Sequence, residues 1–188
     1  MMGFCNALII GGSAGSLEVL LKVLPSLNPL LSFPVIIVIH RKPDADSLLP
    51  ELLSSRTSLK VKEVDEKEPI QAGTVYIAPS DYHLLVEQDY TFSLDYSEKI
   101  NFSRPSIDAT FQTAAEVYRE KLVCILLSGS NSDGVDGLKS VKTWGGIAAV
   151  QDPESAQVPY MPSQAVKHVK IDRILPIETM AEFINLLS

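Results

Sequence analysis

The chain has 188 residues, 46% of them apolar and 21% charged, and a formal charge of −7. That length suits one domain with a sizeable core, expected to span residues 1–188, and the acidic balance argues against nonspecific affinity for nucleic acid or anionic membrane. No basic n-region precedes the first apolar run, and Cys5 and Cys124 show no metal-ligand spacing, so the expectation is a cytoplasmic protein with free thiols, no signal peptide and no membrane insertion.

Short apolar runs alternate with helical patterns along the chain. Residues 6–10 read as a strand, and 17–24 as a helix with Leu17, Leu20, Leu21 and Leu24 on one face. Residues 35–39 are continuous and β-branched, as in a parallel strand covered on both faces. A helix over 47–55, capped by Ser47 or Asp46, and a short strand over 59–63 follow. Residues 73–78, 82–86 and 91–95 read as strands joined by tight turns, hence antiparallel hairpins at the sheet margin. A helix over 106–119 carries Asp108 in its first turn, where a negative charge is favourable. The alternation then resumes: strand 122–127, helix 137–142, strand 146–150, and helices 162–168 and 177–187. Repeated strand–helix units predict an α/β three-layer sandwich, with a mostly parallel doubly wound sheet plus an antiparallel hairpin extension.

Gly11-Gly12-Ser13-Ala14-Gly15 directly follows the first strand and fits G-x-S-x-G, which presents a serine hydroxyl at a sharp strand-to-helix turn. An open α/β sheet carries its reactive groups beyond the carboxyl ends of its strands. The second strand delivers His40 there, and the strand over 122–127 delivers Ser128-Gly-Ser-Asn-Ser-Asp-Gly134. Nucleophile Ser13, base His40 and orienting acid Asp133 are therefore predicted to converge on one rim. Each has a plainer reading: Ser13 as a cap of the next helix, His40 as an exposed loop residue, Asp133 as a helix cap with Asp136 as its competitor. His83 falls in a hairpin and His168 near a helix C-terminus. No H-E-x-x-H, clustered Cys/His, G-x-G-x-x-G or Walker spacing is present, so neither a metal nor a cofactor is expected; phosphate binding at the Gly11–Ser16 turn stays as a competing reading.

Ordered motifs over nearly the whole chain extend this site. They are Ile9-Ile10-Gly11-Gly12-Ser13-Ala14-Gly15, Val38-Ile39-His40, Ala72-Gly73-Thr74-Val75-Tyr76-Ile77-Ala78-Pro79, and Arg104-Pro105-Ser106-Ile107-Asp108. Leu127-Ser128-Gly129 with Asp133-Gly134, and Gln151-Asp152-Pro153-Glu154-Ser155 with Met161-Pro162, complete them. In these the chain resembles the catalytic domain of CheB-type chemotaxis receptor protein-glutamate methylesterases. The resemblance implies hydrolysis of glutamyl γ-methyl esters on chemoreceptor signalling helices or another methylated protein. Glutamine deamidation, which some members perform, is implied as a second activity. It assigns Ser13, His40 and Asp133 the catalytic roles, places Ala14, Ser130 and Asn131 at the oxyanion and substrate loop, and gives Arg104 to substrate binding. Family members usually read Thr-Gly-Met-Gly where this chain has Ser128-Gly129-Ser130-Asn131, which motivates the alternative of a weakly active or inactive regulatory module. Receiver domains are usual before such catalytic domains; none is expected here, so the chain reads either as a fragment or as a free-standing member controlled by a separate regulatory protein or by recruitment to a signalling complex.

Overall fold

Strands written as unbroken apolar runs bury both faces, and this decides the layering. A computed structural model describes residues 5–42 and 48–188. Its main sheet contains β1 (Ala7–Gly12), β2 (Val35–Ile39), β3 (Lys60–Glu63), β4 (Thr74–Ile77), β7 (Leu122–Leu126), β8 (Ile147–Gln151) and β9 (Arg173–Leu175). The order is β3-β4-β2-β1-β7-β8-β9, with every pairing parallel. A separate antiparallel ribbon pairs β5 (His83–Val86) with β6 (Phe92–Asp95).

Helices α1 (Ser16–Val23), α2 (Leu49–Ser54) and α6 (Ile177–Asn185) contribute to the core on one sheet face. Helices α3 (Ile107–Tyr118), α4 (Val135–Thr143) and α5 (Tyr160–His168) contribute to the other. Alternation within each strand feeds both cores: Ile36 and Val38 of β2 face the second group, Ile37 and Ile39 the first. Ile36 and Ile37 are both fully buried, so truncating either to alanine costs about 2–5 kcal/mol.

Two sequence expectations change. Residues 74–77 are not a hairpin arm; β4 lies inside the parallel sheet between β3 and β2, its four residues buried. The short edge strand β9 escaped the sequence reading because Arg173 and Ile174 are exposed and only Leu175 is buried, which leaves no apolar pattern. The other elements stand within a few residues of expectation. The proposed Ser47 or Asp46 cap lies outside the described residues. Cys5 and Cys124 are free and buried, and burial pushes the Cys5 thiol up to about 12.

Candidate active site

Three neighbouring strands, β2, β1 and β7, end on one rim. The backbone continues their pairing past the strands: His40 N–H donates to the Gly12 carbonyl at 3.0 Å, Leu127 N–H to Gly11 at 2.8 Å, and Ser13 N–H to Ser128 at 2.9 Å. Parallel register therefore brings Ser13, His40 and the 128–134 loop together, although they are far apart in sequence.

Ser13 sits on the turn between β1 and α1. Gly15 holds the N-cap position with φ +86°, a left-handed conformation open to glycine at little cost. No side-chain cap bond closes this helix end, so the plain reading of Ser13 as a cap has no hydrogen bond behind it. The turn is anchored instead by Ser16, whose buried hydroxyl donates to the Ser128 carbonyl at 2.9 Å, and by the Ser128 hydroxyl, which donates to Ala14 O at 2.6 Å. Ser13 and His40 both line a cavity of about 370 Å³ with Ala14, Leu17, Ile39 and Leu49.

His40 Nε2 lies 2.6 Å from Asp133 Oδ2. An ionised carboxylate only accepts, so Nε2 carries the proton and Nδ1 is the acceptor nitrogen. In this resting site the Ser103 hydroxyl donates to Nδ1 at 3.4 Å, and no hydrogen bond joins Ser13 to His40 among the described residues.

Asp133, two residues before α4, is fully buried, and its carboxylate reaches the start of α3. Its Oδ2 also accepts Ile107 N–H at 2.7 Å, and its Oδ1 accepts Asp108 N–H at 3.0 Å and the Ser106 hydroxyl at 3.2 Å. Burial pushes its carboxyl up, but the His40 bond and the N–H groups of Asp108 and Ile107 outweigh that and leave it below the ordinary value. The positive end of α3 favours the same anion. Asp136, the competing acid, is exposed and pairs with Lys139 at 2.6 Å.

Ala14 and Ser130 backbone N–H groups have no intramolecular acceptor among the described residues, whereas Gly129 N–H donates to Val158 O. Asn131 supplies shape: its Oδ1 accepts Asp133 N–H at 3.0 Å and fixes the turn into the acid. His83 is structural, with Nδ1 accepting Ser106 N–H at 3.1 Å and Nε2 donating to Glu98 O at 2.9 Å. His168 lies exposed on the last turn of α5.

A second cavity, about 310 Å³, adjoins His40 and is lined by Arg41, Lys42, Asp81, Lys99, Phe102, Ser103 and Arg104. Arg104 lines it, and its guanidinium is held locally. Nη2 and Nε donate to Asp81 Oδ1 at 2.6 and 3.1 Å, Nη1 donates to Ser97 O at 2.8 Å, and the group lies over Tyr96. Arg41 pairs with Glu63. Lys42 and Lys99 form no ion pair among the described residues, so they are the cations this cavity offers. Neither was singled out from sequence, nor was Ser103. Isolated loop lysines and serines carry no periodic signal.

The pattern of the CheB methylesterase family matches residues 8–184. A Leptospira interrogans protein is 45% identical over 182 residues, covering 96% of this chain and 94% of that one. The Thermotoga maritima protein-glutamate methylesterase/protein-glutamine glutaminase is 35% identical over 177 residues, which span 93% of this chain and 52% of that protein. The crystal structure of the Thermotoga maritima CheB methylesterase catalytic domain superimposes with a TM-score of 0.93 at 34% identity, covering 98% of this chain and 99% of that one.

Proposed function

The chain belongs to the CheB methylesterase family, and on that premise we propose that it is a serine hydrolase removing methyl groups from glutamyl γ-methyl esters of chemoreceptor signalling helices. The observation that carries the mechanism is the 2.6 Å contact between His40 Nε2 and the buried Asp133 carboxylate. With Nε2 protonated and held, Nδ1 is free to act as the base once Ser103 yields it. Such exchanges are expected, because catalytic hydrogen bonds are often loose before substrate binds.

Ser13 Oγ attacks the ester carbonyl as its proton passes to His40 Nδ1. Asp133 holds the ring and stabilises the imidazolium so formed. The oxyanion accepts from the free N–H groups of Ala14 and Ser130. A backbone donor does not depend on the side chain, so serine at 130 keeps this chemistry. Collapse expels methoxide, which takes the Nδ1 proton and leaves as methanol. Water, deprotonated by Nδ1, then cleaves the acyl-enzyme to give the glutamate carboxylate and free Ser13. Glutamine deamidation follows the same path with ammonia as the leaving group. Lys42 and Lys99 favour a substrate rich in carboxylates, and Arg104 shapes their cavity from its wall.

The test is methanol release from a receptor-helix peptide carrying one glutamyl γ-methyl ester. Wild-type protein is expected to release it and Ser13→Ala to abolish release. A folded wild-type protein inert towards every such peptide would instead identify a non-catalytic module.

A further inference from the structure

Helix α4 is preceded by Gly134 at its N-cap, with φ +96° and no side-chain cap bond from that residue. Its missing acceptor comes from another helix. Asp108, the second residue of α3, accepts Gly134 N–H at 2.9 Å and Gly137 N–H at 2.7 Å, both through Oδ1. Its Oδ2 accepts from Asn101 Nδ2 at 2.9 Å. Asp133, just before α4, does the reverse and accepts Ile107 and Asp108 N–H at the start of α3. Each helix start is thus closed by the carboxylate standing at the other's. Two positive helix ends meet there, which is why two buried carboxyl groups are tolerated side by side.

The helices approach closely at this point. A Cβ on Gly137 would stand 2.6 Å from Phe111 Cβ and 3.2 Å from Asp108 Cα. Asp108 is only 5% exposed, and neither Ser13 nor His40 is among its hydrogen-bond partners. Its bond to Gly134, however, grips the residue next to Asp133.

We propose that Asp108 is a positioning residue for the hydrolysis, locking the α4 start so that the Asp133 carboxylate stays against His40 Nε2. This rests on the functional reading above, in which Asp133 orients the base. What Asp108 supplies is the placement of Oδ1 opposite two backbone N–H groups. Asparagine preserves that acceptor, alanine removes it, and glutamate displaces it while keeping the charge.

Steady-state methanol release and the downfield proton NMR signal of the His40 Nε2–H, assigned by its loss in His40→Gln, together test this. Asp108→Ala is expected to lower kcat about 100-fold, the cost of roughly an ångström of misplacement, with little change in KM. It should also lose the downfield proton, and Asp108→Asn should restore both. Asp108→Glu should behave like alanine despite its charge, and this contrast decides the matter even if the alanine variant fails to fold. Wild-type kcat in Asp108→Glu beside a crippled Asp108→Asn would overturn the proposal, as would a folded Asp108→Ala that keeps the downfield proton. Absence of methanol release from the wild type would sink the functional reading alone; the proton signal in the variants would still judge the lock.

Discussion

Two strand-to-helix turns meet at the site, one after β1 and one after β7, and they start from the same backbone device. Gly15 and Gly134 both occupy the N-cap in the left-handed region, at φ +86° and +96°, and neither helix has a side-chain cap of its own. The first turn stays open: Ala14 N–H finds no internal acceptor among the described residues and Ser13 lines a cavity. The second is closed: Gly134 and Gly137 N–H both go to Asp108, and its acid is fully buried. Helix starts present unsatisfied donors, and their use depends on what faces them. The first is left facing a cavity; a carboxylate from α3 closes the second.

The largest effects should fall on the open turn. Ser13→Ala should cut methanol release by at least about 10⁴-fold, and His40→Gln similarly, with the double variant losing little more because the residues act as one unit. Since the Ser13 hydroxyl makes no cap bond to α1 among the described residues, its removal should cost no more than about 0.5 kcal/mol in urea unfolding. A large stability loss would show that the first turn is not open in the sense argued.

On the closed turn, Asp133→Asn should lower kcat about 10⁴-fold, through loss of the charge that orients His40. It should also cost about 1–3 kcal/mol, because an amide cannot accept from both sets of buried donors that the carboxylate serves. Asp136→Asn should change neither quantity appreciably. Comparable activity in the two variants would reassign the acid.

Alanine at either glycine sharpens the comparison further. Gly15→Ala and Gly134→Ala should each destabilise by at least about 1–2 kcal/mol for the left-handed backbone alone. The added methyl at 134 also meets Leu126 Cδ1 at 2.5 Å and Ile107 Cγ2 at 3.0 Å inside the core, whereas at 15 it meets Gln157 Cβ and the Ser128 hydroxyl at 2.8 Å beside the open cavity. Thermal unfolding should therefore rank Gly134→Ala as the more costly.

A subtler effect is in pH. Burial, then the neighbouring Asp133 charge, push the Asp108 carboxyl up to about 7, above its unfolded value of about 3.9. A raised carboxyl adds stability that is whole below about pH 4 and is lost as pH rises through about 7. Asp133, held below the ordinary value, has the opposite sign: its contribution stands at neutral pH and goes as the acid range is entered. Urea unfolding of Asp108→Asn should lose the decline between about pH 4 and 7 while keeping the acid-side loss. An unchanged decline would place the titrating group elsewhere.

The smallest expected effect lies outside both turns. Arg104→Ala should lower thermal stability and turnover equally on a receptor helix and on a small neutral ester, because its guanidinium is tied to Asp81, Ser97 and Tyr96. Loss confined to the receptor helix would restore Arg104 to direct recognition.

Much of this was legible in sequence. Continuous β-branched runs such as 35–39 foretold a parallel sheet covered on both faces, and G-x-S-x-G foretold the sharp turn from β1 into α1. The exits of β2 and β7 supplied His40 and Asp133. These features are local: a few neighbouring residues set burial periodicity and turn conformation. What only the tertiary structure decided is pairing between distant positions. Asp108 looked like an acid serving its own helix, yet its carboxylate closes α4; Arg104 was open between positioning a substrate and making a structural salt bridge, and Asp81 holds it. The strand β4 looked like a hairpin arm, yet it joins the parallel sheet. A carboxylate, a guanidinium or a short apolar strand can satisfy itself with any complementary partner. Which partner it meets is settled by strand order and helix packing, not by the residues beside it.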